Sequence, residues 1–137
     1  MATTDDINVM LWQRLKSLSD AGTLPITGKV YNGERDLKAV SEDVTVKATL
    51  VTTPYEHTQR TDVNVNVFTD DIATGGNKYV PNDERLALLS KAVVDFIESI
   101  DYTFDTLEVT DYTETRLEEP ALRQHYMNFL IRMNIYD

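Results

Sequence analysis

Two histidines and no cysteine set the limits of side-chain chemistry in this chain. The lack of cysteine excludes disulfides, Cys-ligated zinc, iron–sulfur clusters and thiol nucleophiles. His57 and His125 are far apart in sequence and form no metal-ligand spacing, and no Ser-centred nucleophile elbow accompanies them. Gly75-Gly76-Asn77-Lys78 resembles the end of a phosphate loop, but such a loop needs an earlier glycine and a hydroxyl after the lysine. Asp71 and Tyr79 stand at those positions, so the segment reads as a flexible loop. Asp70 and Asp71 do not open an EF-hand, because later ligand positions fall on Ala73 and Gly75. The expectation is therefore no metal, no cofactor and no catalytic residue.

Carboxylates are the one abundant reactive group. From Glu98 to Glu119 the chain has eight acids and a single base, Arg116, so this stretch holds −7 of a net charge of −10. Acids on an exposed strand stay ionised and solvated, and acid–base catalysis would need a shifted pKa in a cleft. Such acidity also argues against a nucleic-acid backbone or an anionic membrane as a held partner.

What must position these groups is one domain spanning residues 1–137. Its length and its 42% apolar residues suffice for a single core. No stretch approaches the ~18 apolar residues of a membrane span. Residues 1–10 have neither a basic start nor an apolar run, so synthesis in the cytosol without a leader is expected.

Thr4, Asp5 and Asp6 supply an N-cap and first-turn acids, and Ile7, Met10, Leu11, Leu15 and Leu18 recur at helical spacing until Gly22. Trp12 lies at the edge of that stripe as a packed flank residue. A short extended piece is expected at Lys29–Tyr31, ended by Asn32-Gly33.

Two alternating runs follow. Val44, Val46, Ala48 and Leu50 alternate with Thr45, Lys47, Thr49 and Val51, and Val63, Val65 and Val67 alternate with Asn64 and Asn66. They are joined by a projecting connection, Thr53–Thr61. Thr69–Asn82 reads as a long irregular loop. A second helix is capped by Asn82 or Asp83 and carries Leu86, Leu89, Val93, Phe96, Ile97 and Ile100 on one side.

A terminal hairpin closes the chain. Leu107 and Val109 open its first strand. Its last strand sends Met127, Phe129, Ile131, Met133 and Ile135 inward, and Tyr126, Asn128, Arg132 and Asn134 outward with Leu130. The order α-β-β-β-α-β-β predicts an α+β fold: a mixed or antiparallel sheet of about five strands with both helices on one face.

The outward residues are those that interfaces favour, namely amides, amphipathic aromatics and Arg, although a merely solvated sheet face carries the same pattern. Local chemistry nominates Tyr55, His57, Arg60, Asn64, Asn66, Lys78 and Tyr79 as contacts. Asp105, Glu108, Asp111 and Glu114 form the acidic strip.

Three segments carry a resemblance: Gly28-Lys-Val-Tyr-Asn-Gly-Glu-Arg35 after the first helix, Asp62-Val-Asn-Val-Asn-Val-Phe68 ending the hairpin, and the strand His125–Tyr136. With the order of elements, they resemble the tail terminator, or tail-completion, proteins of long-tailed bacteriophages. Members commonly have Arg-Pro where this chain has Arg35-Asp36.

The resemblance implies a structural, non-enzymatic protein in the virion, at the head-proximal end of the tail, assembled in the bacterial cytoplasm. It implies a homo-oligomeric ring, usually a hexamer, that caps the tail tube, stops its polymerisation and presents a head-joining surface. Its partners would be copies of itself, the major tail tube protein and a head–tail connector, with no membrane and no specific nucleic-acid binding. DNA passing through the lumen would be repelled by the acidic strip. Another neck or connector protein, or an acidic module mimicking nucleic acid to capture a basic protein, are the alternatives.

Overall fold

The structure, a computed structural model, describes residues 2–36, 39, 41–52 and 58–136, with the side chain of Leu50 left aside. Helix α1, Thr4–Asp20, begins at a capping box one residue earlier than the sequence suggests. The Thr3 hydroxyl accepts from the Asp6 amide at 3.2 Å, and the Asp6 carboxylate accepts from the Thr3 amide at 2.8 Å. These bonds hold the Asp6 carboxyl below its ordinary range. Ile7, Leu11 and Leu15, spaced by four, form the buried stripe. The helix stops at Ala21, followed by Gly22 in the left-handed region, φ +81°.

The main sheet contains β1 (Val30–Asn32), β2 (Val44–Thr52), β3 (Thr58–Asp70), β6 (Leu107–Glu119) and β7 (Gln124–Tyr136), in the order β1-β2-β3-β7-β6. The β1–β2 pair is parallel and the β2–β3, β3–β7 and β6–β7 pairs are antiparallel, so the sheet is mixed. Helix α2, Asp83–Thr103, packs beside α1 on the same face, and its N-cap Asn82 accepts from the Arg85 amide. Ile7, Leu11 and Leu15 of α1, Val93, Phe96 and Ile97 of α2, and the inward residues of β2, β3 and β7 make one buried cluster. The fold is α+β with both helices on one sheet face, as the pattern predicts. Among the described residues no helix is long and apolar enough to cross a membrane.

Three details differ from the sequence reading. Residues 69–82 are not an irregular loop: β3 continues to Asp70, and a separate hairpin follows, β4 (Ile72–Gly75) with β5 (Lys78–Val80). Its turn residues Gly76 and Asn77 both have positive φ, +56° and +63°, the backbone that a two-residue hairpin turn requires. Strand β3 also begins at Thr58, because Thr58–Thr61 pairs with Met133–Tyr136 of β7. The connection is therefore shorter than Thr53–Thr61. Finally, a bulge between Ala48 and Leu50 inserts a residue into β2 and reverses the alternation, so Val51 packs against the core.

Trp12 is half-buried, as expected of a flank residue, and its indole nitrogen donates to the Val30 carbonyl at 2.9 Å, tying α1 to β1. The segment between α1 and β2 is fixed to the body by Glu42. Its carboxylate takes a two-pronged hydrogen bond from Arg85, 2.6 Å to Nε and 2.7 Å to Nη2, and Arg85 also donates to the Pro25 carbonyl. The Glu42 bonds hold the Arg85 guanidinium above its ordinary range.

Candidate assembly interface

Period two places Arg60, Asp62, Asn64, Asn66 and Phe68 of β3 on the sheet face away from the helices. They lie in register with Asn134, Arg132, Leu130, Asn128 and Tyr126 of β7. At the centre, Asn128 Nδ2 donates to both Asn64 Oδ1, at 3.0 Å, and Asn66 Oδ1, at 2.7 Å. The two β3 amides thus turn their acceptors towards Asn128, and their NH₂ groups have no protein partner among the described residues. All three side chains are half-buried, so the lattice is fixed by its own bonds before anything binds to it.

One end of this face is closed by a stack. The Phe68 and Tyr126 rings lie 4.7 Å apart, and the Arg35 guanidinium sits 3.6 Å above Phe68. Arg35 is held by Asp43 at 3.4 Å and by the fully buried Gln124 at 3.0 Å. Gln124 in turn donates to the Ser41 carbonyl and to Asp70. Asp43 also accepts from the Lys29 amide at 2.8 Å, which brings the chain so close that a Cβ on Gly28 would lie 2.0 Å from Asp43 Oδ1. Between this stack, the Gly33–Asp36 turn and the amide lattice lies an open groove of about 510 Å³.

The residues nominated from sequence divide into separate places. Arg60, Asn64 and Asn66 share the open face. Lys78 and Tyr79 lie on the β4–β5 hairpin, with Lys78 exposed and Tyr79 half-buried under the Arg123 guanidinium, 4.0 Å above its ring. Tyr55 and His57 fall outside the described residues. His125 sits at the base of the hairpin, 2.6 Å from Asp71. The acidic strip does not share one face. Asp105 lies in the exposed turn before β6. Glu108, bonded to Asn134 and Tyr136, and Asp111, 3.5 Å from Arg132, belong to the open face. Glu114 is in register with Phe129 and so faces the helix side, beside Arg116 and its partner Asp83. The bulge between Val109 and Asp111 shifts the alternation along this strand.

Sequence reasoning missed Arg35, Asp43 and Gln124 as a unit, since they come from three distant segments with no motif joining them. Among the described residues, no group of three or more His, Asp or Glu could hold a metal ion. The arrangement offers oriented donors, aromatic surface and paired charges, groups that protein interfaces use. Compared with known proteins, the chain matches no family model and no curated protein.

Proposed function

We propose that this chain is a structural tail terminator, or tail-completion, protein of a long-tailed bacteriophage, acting as a ring at the head-proximal end of the tail. The reading rests on the resemblance of the three segments and of the element order, and one observation carries it furthest. The open sheet face has a self-bonded amide lattice whose NH₂ donors on Asn64 and Asn66 have no partner among the described residues, beside a cation–aromatic stack, on a sheet whose other face packs its central strands against the helices. A ring of copies uses head-to-tail contacts that close after a fixed rotation. In this reading the ring caps the tail tube, ends its growth and offers a surface to the head–tail connector. Glu108 and Asp111 facing the lumen would repel passing DNA, whereas Glu114 faces the other way.

The test is mass photometry across concentration, with and without tail tube protein. A species near six chains, alone or on tube ends, is the expected result. A strict monomer that also leaves tube polymerisation unchanged overturns the reading. Binding to connector with no effect on the tube assigns the chain to the neck instead.

A further inference from the structure

The β4–β5 hairpin is a short arm with one face spoken for and the other bare. Ile72 and Val80 form one cross-strand pair, and Ala73 and Tyr79 form the next. Neighbouring pairs point to opposite faces of the ribbon. Tyr79 is turned inward under Arg123, and the arm's base is tied by the Asp71 amide to the Arg123 carbonyl and by His125 to Asp71. Ile72 and Val80 are therefore held outward, 47% and 42% exposed. A two-stranded ribbon alone is marginally stable, and leaving its apolar pair in water stabilises nothing.

The helix layer has a matching feature. Between the end of α1 and the middle of α2 lies a groove of about 390 Å³ whose apolar lining includes Leu15, Leu18, Leu24 and Phe96. Leu88, also part of the lining, is 49% exposed. Of its polar lining, Ser99 donates to the Phe96 carbonyl, whereas among the described residues Arg14 Nε is buried without a hydrogen-bond partner and the exposed Lys91 and Asp95 have no ion pair. The outer edges of a two-stranded ribbon present backbone carbonyls with no strand to pair with, which suit the exposed ammonium of Lys91. Lys78, exposed and without an ion pair among the described residues, lies beside the arm's turn and suits Asp95.

We infer that the β4–β5 arm of one copy docks in the α1–α2 groove of the next, Ile72 and Val80 lying against Leu88 and the apolar floor. Because arm and groove are different surfaces of one chain, the contact is heterologous and propagates head to tail until it closes. It rests on the ring reading and supplies that ring's subunit contact.

The absence of cysteine makes the test clean, since only introduced thiols react. Size-tagged chains bearing Val80→Cys are mixed with untagged chains bearing Leu88→Cys at a concentration where the unsubstituted protein assembles. They are then treated with a short bis-maleimide. Tagged–untagged pairs should exceed either like pair about tenfold, the ratio given by a modest binding preference, and Ile72→Asp in the tagged chain should abolish the excess. Circular dichroism melts verify that each variant folds. Equal yields of like and unlike pairs, or none, from a protein that still assembles overturn the arm contact and leave the ring standing. If the unsubstituted protein stays monomeric up to millimolar concentration and on tube protein, the ring reading fails and takes the arm contact with it.

Discussion

The two faces of the central sheet are built from the same strands and do opposite things. On β3, Val63, Val65 and Val67 are fully buried against the helices, while Asn64 and Asn66 between them stand half-buried on the other side. On β7, Phe129 and Ile131 are fully buried, while Asn128 and Leu130 are not. The covered face loses water on folding and supplies the main stabilisation. The amides of the open face could be satisfied by water, so folding alone does not demand their lattice. Adjacent residues can therefore separate stability from recognition, and substitutions on either face test whether that division is real.

The largest effect belongs to the covered face. Phe129→Ala should cost about 3–5 kcal/mol, through lost burial and the cavity left among Tyr112, Ile131 and α2. A urea or thermal unfolding curve measures it directly. A loss below ~1 kcal/mol would mean that the core there collapses onto the gap and that this face is not close-packed.

Arg85→Met comes next, testing whether the helix layer is stapled to the segment before β2. The Glu42 side chain is only 10% exposed and Arg85's 30%, so removal strands a largely buried carboxylate. The expected loss is about 3 kcal/mol, the low end for breaking a buried pair. Adding Glu42→Gln should recover part of it, because the neutral amide is cheaper to bury than an unpaired charge. No recovery in the double variant would place the effect in Arg85's packing instead.

That ordering also separates what was legible from sequence and what was not. Phe129, Ile131 and Met133 declare themselves by alternation, and α2 by its 3.6-residue stripe, because burial on one face leaves a periodic trace. The hairpin at Ile72–Val80 was readable too: Gly76-Asn77 is a two-residue turn signal, but the sequence reading took all of Thr69–Asn82 as one irregular loop. The bulges after Ala48 and Val109 leave no such trace, since an extra residue is set by the partner strand's register. They decide which side Val51 and Asp111 occupy. The Arg35–Asp43–Gln124 cluster was hidden because three segments meet only in the folded chain. Alternation shows Asn64, Asn66 and Asn128 as outward-facing, but Asn128's double donation is a geometric fact that no spacing reveals.

Asn128→Ala tests the open face at the neighbour of Phe129. Removing the NH₂ group frees Asn64 and Asn66, both near enough to solvent to be hydrated, so stability should fall by only about 0.5–1.5 kcal/mol. If the chain forms the proposed ring through this face, its assembly should fall far more, because two oriented amides become mobile. A stability loss equal to that of Phe129→Ala would erase the division between the faces.

The smallest effect is expected from Asp111→Asn, and it sharpens the division within a single strand. Asp111 lies on the open face 3.5 Å from Arg132, with both side chains at least half exposed, whereas Glu114 on the same strand faces the helix side. A solvent-exposed pair of this kind contributes about 0.2–1 kcal/mol, screened further by salt. The unfolding midpoint of Asp111→Asn should therefore match that of the unsubstituted protein at high salt and fall slightly below it at low salt. If its charge acts between molecules rather than within one, the same variant should change the salt dependence of assembly while leaving the fold in place. A salt-independent loss of stability would instead show that Asp111 is held inside the fold's own network, and that the open face takes a larger share in folding than its amides suggest.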